Sequence, residues 1–168
     1  MGVSGSGKTT IAVPLARRLG WEFRDGDEFH PPANVAKMRS GIPLTDEDRW
    51  PWLRAIGEWL GTEVTEGRHG IVACSALRRR YRDILVGGHR DAIRIVFLDG
   101  AKTLIAQRLA ARRHHFMPAS LLDSQFATLE RPTPDEHPLI ESIDATPEAI
   151  VGAIVAKLGL GGGRSLLK

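Results

Sequence analysis

Gly2-Val3-Ser4-Gly5-Ser6-Gly7-Lys8-Thr9 satisfies the pattern G-x-x-x-x-G-K-[ST] at every fixed position, the signature of a phosphate-binding loop. Its glycines let the backbone curl tightly enough to aim successive N–H groups inward, and the helix that must follow adds the positive end of its dipole. The product is a cradle for a polyphosphate. Lys8 is expected to reach the β- and γ-phosphates as a mobile point charge, while the Thr9 hydroxyl takes one position on Mg²⁺. Gly2, Val3, Ser4, Gly5, Ser6, Gly7, Lys8, Thr9 and Thr10 are thus the candidate nucleotide-binding residues, with Lys8 also catalytic. The bland alternative is a glycine-rich turn of no consequence, and a chance match is expected in on the order of one chain in a few hundred.

Outward from the loop, short apolar runs alternate with longer amphipathic ones, the pattern of βα units winding a parallel sheet. Residues 8–19 read as a helix closed by Gly20, with Pro14 expected to kink it. Residues 33–39 read as a helix stopping at Gly41. Thr45 and Asp48 form a capping-box signature, and Pro51 suits the first turn of a helix running to about residue 65. Strands are expected at Trp21–Arg24, Ile71–Ser75, Ile93–Asp99 and 139–143, and helices at 78–86, 101–112, 119–130 and from the Thr146-Pro147 cap to near Gly159. The fold class is therefore α/β, a parallel sheet of about five strands flanked by helices. A phosphate loop hangs between a buried central strand and a helix, yet only Met1 precedes Gly2. The first central strand is expected to be truncated, with the natural start upstream and roughly five to eight apolar residues ahead of Met1.

Composition narrows the function classes. A chain of 168 residues fits one domain, a single unit over 1–158 with a flexible tail at 159–168. The formal charge is only +3, but 18 of the 23 basic residues are Arg, the side chain that grips phosphates and carboxylates by paired hydrogen bonds. Small anionic ligands fit, and no nucleic-acid partner is required. Cys74 is the single cysteine, so no internal disulfide is possible and a reduced, cytoplasmic setting is expected, with the thiol buried. No run of about 18 uncharged apolar residues and no secretory leader pattern is present, so no membrane partner is expected.

Asp25-Gly26-Asp27 falls at the carboxyl end of the second strand of the pattern, the edge where open α/β sheets bind ligands. Alternate residues there point to opposite sides, which gives Asp25 to magnesium and Asp27 to the hydroxyl that accepts the phosphoryl group. A solvated turn would also favour Asp and Gly. From this point the sequence resembles one family closely. Asp25-Gly26-Asp27-Glu28-Phe29-His30-Pro31, Asn34, Lys37-Met38, Gly41-Ile42-Pro43-Leu44, Asp46, Asp48-Arg49 and Pro51-Trp52-Leu53 resemble the gluconate kinase (gluconokinase) family. Cys74-Ser75-Ala76-Leu77, Tyr81-Arg82-Asp83, His115-Phe116, Gln125-Phe126 and Leu129-Glu130 continue the likeness to about residue 150.

The resemblance implies a P-loop kinase fold related to adenylate and shikimate kinases. It also implies ATP-dependent phosphorylation of D-gluconate at its 6-hydroxyl, giving 6-phospho-D-gluconate for the pentose phosphate or Entner–Doudoroff route. A mobile lid, assigned to residues 112–118, and a homodimer are part of the same expectation. Residues 28–69 become the substrate-binding region. An open-chain polyol with a carboxylate needs hydrogen-bonding groups and at least one cation, and Asp27, His30, Lys37, Arg49, Arg78 and Arg82 are the candidates. Arg78-Arg79-Arg80 also reads as a solvated helix face. Arg108 and Arg112 lie four apart on one helix face. By similarity to related kinases Arg108 would stack on adenine and Arg112 would move to the transferring phosphate, whereas surface arginines complementing a helix dipole are the plainer alternative. Asp144-Ala145-Thr146-Pro147 resembles their adenine-facing loop. A GTPase would need a guanine-reading [NT]-K-x-D segment, which is absent, and a nucleic-acid ATPase would need aromatic-interleaved basic strands. The remaining alternative is a shikimate-like or other carbohydrate-acid kinase.

Overall fold

The computed structural model describes residues 1–111 and 119–160. Helix α1 (Lys8–Leu19) begins where Gly7, at φ 92°, turns the loop into the helix, and it stops at Gly20 in the left-handed conformation (φ 69°). Pro14 lies inside it, and the burial of Ile11, Ala12, Leu15 and Ala16 holds the helix across the missing N–H. Strand β1 (Glu22–Asp25) pairs in parallel with β2 (Gly70–Ala73), and the connection between them carries α2 (Pro32–Arg39) and α3 (Asp46–Thr65). After α4 (Arg79–Val86) comes β3 (Val96–Asp99), which pairs in parallel with β4 (Leu139–Ser142). Helices α5 (Lys102–Ala110) and α6 (Ala119–Thr128) lie between those strands in sequence, and α7 (Pro147–Lys157) follows β4. Short 3₁₀ turns occupy Gly26–Phe29 and Pro134–Glu136.

Thr45 caps α3 by accepting the Asp48 N–H (3.3 Å) while the Asp48 carboxylate accepts the Thr45 N–H (2.9 Å), the reciprocal box its sequence promised. The helix starts at Asp46, so Pro51 sits in the second turn rather than the first. Its missing N–H costs the Glu47 carbonyl an intrahelical partner, and burial of Trp52, Leu53 and Ile56 directly after it offsets the loss. Strand β2 stops at Ala73, short of the expected Ser75, because the Ser75 carbonyl turns to accept the Gly2 N–H (3.2 Å). Strand β3 starts at Val96 rather than Ile93, whose N–H closes a turn on the His89 carbonyl (2.9 Å).

The expected α/β architecture of parallel strands flanked by helices is present, and among the described residues four strands form two parallel pairs, β1–β2 and β3–β4. Met1 lies between them. Its amine donates to the Val96 carbonyl (2.5 Å) and its carbonyl accepts the Leu98 N–H (3.0 Å), while Gly2 N–H reaches Ser75 on the other side. A cavity of about 660 Å³ runs along this slot, lined among others by Ile11, Leu15, Ile56, Val72, Val96 and Leu98. Burial pushes the Met1 amine down to about 5, and the charge of Lys8 adds to the effect. One core joins Val3, Leu15, Leu98, Ile105, Ile143 and Ile154, and a second joins Trp52, Leu53, Ile56, Cys74, Tyr81 and Leu85. Cys74 is buried as expected, and burial pushes its thiol up to about 11.

Among the described residues no strand ladder joins the two pairs, and a slot with apolar walls bridged only by the Met1 and Gly2 bonds should accept an added strand. Five alternating Val and Ile residues fused ahead of Met1 should raise the melting midpoint by roughly 6–12 °C, from a net gain on the order of 3 kcal/mol. Calorimetry against a fusion of five Gly and Ser residues reads the difference. Equal midpoints would show that the slot is not a strand site.

Candidate active site

The phosphate loop keeps its shape through main-chain turns that only glycine tolerates. Gly5 stands at φ 84°, and a β-carbon there would lie 2.8 Å from the Leu109 side chain. Ser6 N–H closes on the Val3 carbonyl (3.2 Å), and Lys8 Nζ reaches back to the carbonyls of Gly2 (3.1 Å) and Val3 (3.2 Å). Lys8 therefore spans the loop it is expected to serve, while Thr9 and Thr10 open the first turn of α1 at the surface. Gln125 on α6 holds the loop from the other side. Its Oε1 accepts the Ser4 N–H (2.6 Å) and its Nε2 donates to Ser4 Oγ (3.0 Å).

Asp25 ends β1 and caps the next turn, its Oδ1 accepting the Asp27 N–H (3.0 Å). Gly26 is required there, since a β-carbon would sit 2.8 Å from the Ala73 carbonyl of β2. The Gly26 carbonyl accepts from Trp52 Nε1 (2.6 Å), which ties the turn to α3. Asp27 is left with its side chain 88% exposed, and His30 Nε2 stands 3.9 Å from its Oδ1. The His30 ring stacks on Trp52 at 4.2 Å between centroids, and Asn34 Nδ2 lies 3.4 Å from its Nδ1. Burial first, and Arg49 second, hold the His30 pKa below its ordinary value, against the pull of Asp27.

Beside this turn, Asp46 gathers three of the arginines. Arg78 Nη1 lies 3.4 Å and Arg49 Nη1 3.6 Å from its carboxylate, and Arg80 and the Tyr81 hydroxyl also bond to it. The Tyr81 hydrogen bond, then the arginines, lower the Asp46 pKa. The two substrate candidates Arg49 and Arg78 are thus brought together on Asp46, each flanking the Tyr81 ring at 5.9 Å. Lys37 instead engages Asp48 (2.7 and 2.8 Å). Arg82, expected among the substrate contacts, is turned inward and its side chain is 2% exposed. It grips Glu136 by two bonds (2.5 and 2.8 Å) and donates to the carbonyls of Ala76, Leu77 and Glu130. Ala76 needs that support, because it holds φ 45° without being glycine. Arg108 Nη2 donates to the Ile143 carbonyl (2.6 Å), just before the Asp144–Pro147 loop, so two expected adenine-side features meet. Arg112 and the 112–118 lid lie outside the described residues.

The AAA domain family matches residues 1–132. A gluconokinase of Gluconobacter oxydans is 49% identical over 155 residues, covering 92% of this chain and 86% of that protein. The chain belongs to the gluconokinase family. A solved gluconokinase from Sinorhizobium meliloti superposes with a TM-score of 0.85 at 43% identity, covering 95% of this chain and 89% of the other. A sugar kinase from a Janibacter species gives 0.86 at 48% identity, with coverage of 96% and 92%. These likenesses give the fold of a P-loop kinase. Against that gluconokinase frame, the sequence reading overlooked Asp46 as the arginine hub, Trp52 as the platform for His30, and Gln125 as the partner of the phosphate loop. Asp46 and Gln125 entered only as residues of the family likeness, without a role; Gln125 also carried a signal of its own, being polar on the face that carries Leu122 and Phe126.

Two measurements follow from this geometry. Arg82→Ala should cost about 3–5 kcal/mol in denaturant unfolding, the penalty for stranding one charge of a buried pair, whereas the more exposed Arg78→Ala should cost about 1 kcal/mol or less. Similar values would dismiss the inward clamp. For His30, a lowered native pKa means that the unfolded chain takes up the proton first, so its stabilisation is present above the unfolded value of 6.5 and is lost as pH falls through the native one. Between pH 7 and pH 5 the wild type should lose more stability than His30→Gln. Parallel pH slopes would contradict the buried neutral imidazole.

Proposed function

We propose that this chain transfers the γ-phosphoryl group of ATP to the 6-hydroxyl of D-gluconate, giving 6-phospho-D-gluconate and ADP. The observation that carries the reading is the exposed Asp27 carboxylate, set on a rigid turn at the same sheet edge as the phosphate loop. Oxygen 6 of gluconate forms the new bond to the γ-phosphorus, the bond from that phosphorus to the bridging oxygen of ADP breaks, and Asp27 takes the hydroxyl proton. Such transfers proceed through a loose transition state that asks chiefly for alignment and charge neutralisation. The loop N–H groups and Lys8 supply the neutralisation, and Arg112 is assigned to the transferring phosphate.

Thr9 and Asp25 offer a hydroxyl and a carboxylate, hard oxygen donors that suit Mg²⁺ completed by phosphate oxygens and water. When bound, that ion neutralises charge on the β- and γ-phosphates. Residues 28–69 form the acceptor region: His30 meets the polyol, and Arg49 and Arg78 face the carboxylate. Lys37 acts from its pair with Asp48, and Arg82 acts by holding the Ala76–Leu77 turn. Arg108 belongs to the adenine side, with the 144–147 loop. Family resemblance supports a single kinase domain over 1–158, a homodimer and a cytoplasmic place of work. No helix among the described residues is long and apolar enough to cross a membrane. A shikimate-like acceptor is the weaker reading, because the likeness from Asp25 to Leu53 is to gluconokinases.

A coupled ADP-release assay over gluconate, shikimate and related acids tests the assignment. Gluconate should turn over well above the others, and equal turnover of shikimate would sink it. Lys8→Ala should lower kcat/KM with the fold intact, since its contacts strengthen as the transition state forms. Asp27→Asn keeps the shape but loses the proton acceptor, so gluconate turnover should fall at least ~100-fold while ATP still binds. Near-normal turnover would remove Asp27 from its role.

A further inference from the structure

Gln125 stands on the core-facing side of α6, between Leu122, which is buried, and Phe126, which packs on the same core. A polar side chain on that face must find a hydrogen-bonding partner or carry a desolvation cost. Its partner is a single residue of the phosphate loop. The amide accepts the Ser4 N–H at 2.6 Å and donates to Ser4 Oγ at 3.0 Å, and two contacts to one residue fix its orientation as well as its position. Ser4 precedes Gly5, whose Cα is packed so closely on Leu109 and Ile105 of α5 that a β-carbon would fall within 3.0 Å of both. The entry limb of the loop is therefore held between two helices. An N–H given to Gln125 is also not offered to a phosphate oxygen, and the Ser6 N–H is likewise engaged with the Val3 carbonyl, which leaves the cradle to the other N–H groups of the loop and of the first turn of α1.

The same run of chain has a second hold. Glu130 donates its N–H to the Leu77 carbonyl (2.8 Å), accepts the Arg79 N–H on Oε2 (2.6 Å), and its carbonyl accepts from Arg82 (2.9 Å). Residues 125–130 thus touch the phosphate loop at one end and the turn after β2 at the other. We infer that Gln125 is a positioning residue for phosphoryl transfer: acting through Ser4, it keeps the phosphate loop in its nucleotide-accepting shape and in register with the acceptor-side turn. The inference rests on the kinase reading above, but its first consequence concerns nucleotide binding alone. Without the amide the loop samples other shapes, and binding must order it again.

The test uses Gln125→Ala, Gln125→Glu, Ser4→Ala and the Ser4→Ala/Gln125→Ala double variant of the full chain. Calorimetric titration with ADP should show the dissociation constant raised about five- to tenfold in Gln125→Ala, the loss expected for one or two hydrogen bonds. The KM for ATP should rise in parallel while that for gluconate stays within about twofold. A merely structural role would lower the melting midpoint and leave that split unmade. In Gln125→Glu a carboxylate can accept from both the N–H and the hydroxyl, so the midpoint should stay near the wild type. Its added charge beside the polyphosphate should weaken ADP at low ionic strength, with the deficit shrinking as salt rises. Ser4→Ala should weaken ADP in the wild type and have no further effect in the Gln125→Ala background. An ADP dissociation constant within twofold of wild type in Gln125→Ala, a salt-insensitive deficit in Gln125→Glu, or an equal Ser4→Ala penalty in both backgrounds would overturn the inference. If the wild type fails to phosphorylate gluconate while ADP binding still responds to Gln125, the substrate reading falls and this one stands.

Discussion

Main-chain hydrogen bonds of Met1 and Gly2 join the two strand pairs, and the phosphate loop hangs from that join. Met1 meets Val96 and Leu98 on one side, and Gly2 meets Ser75 on the other. Parallel pairing leaves each strand edge with unmet N–H and C=O groups unless a neighbour completes it. Here Met1 bonds along β3 and Gly2 bonds to the residue that follows β2 by two, so two consecutive residues bridge the pairs and lead directly into the phosphate loop. Glycine at position 2 follows from the same geometry, since its φ is 150° and a β-carbon would lie 2.7 Å from Ser6 Oγ. The loop, the Asp25–Asp27 turn and the Ser75–Leu77 turn share one edge because these few bonds align them.

Much of this was legible in the sequence, and the reasons are local. The phosphate loop, the Gly20 stop of α1, the Thr45–Asp48 box and the Thr146-Pro147 start of α7 each depend on neighbouring residues whose chemistry has one good solution. Strand ends were less legible. Ile93 and Ser75 have the character of strand residues, and only the turn to His89 and the bond to Gly2 take them out of the ladder. Pro51 was read one turn too early because a proline signals that a helix is near its start without fixing how near.

The arginine cluster shows most clearly what sequence spacing conceals. Arg78, Arg79, Arg80 and Arg82 read as one basic patch, but Arg78 stands on extended backbone at the N-cap of α4, and the residues of the helix after it turn by about 100° each. Arg79 goes to Asp135 and Thr133, Arg78 and Arg80 go to Asp46, and Arg82 goes inward to Glu136. Apart from Asp83, which Arg79 meets one turn along the helix, the carboxylates they meet lie 32 to 56 positions away in the chain. An excess of arginine therefore reflects, in large part, a framework of paired charges around the acceptor side. The basic composition alone said little about which guanidinium would face a ligand.

His30 adds to this arrangement through a pKa held below its ordinary value. A protonated imidazole 3.9 Å from Asp27 would pair with the carboxylate and compete with any hydroxyl approaching it. Stacking on Trp52 and contact with Asn34 bury the ring, and the nearby Arg49 adds a repulsion, so the charged form is disfavoured from two directions. A neutral ring still offers one donor and one acceptor to a polyol. In the proposed reaction, a histidine beside Asp27 whose charged form is disfavoured leaves that carboxylate open to the hydroxyl it is proposed to serve. Trp52 and Arg49 belong to α3, so the long helix does more than close the core: it supplies two of the groups that hold the His30 pKa below its ordinary value against the pull of Asp27.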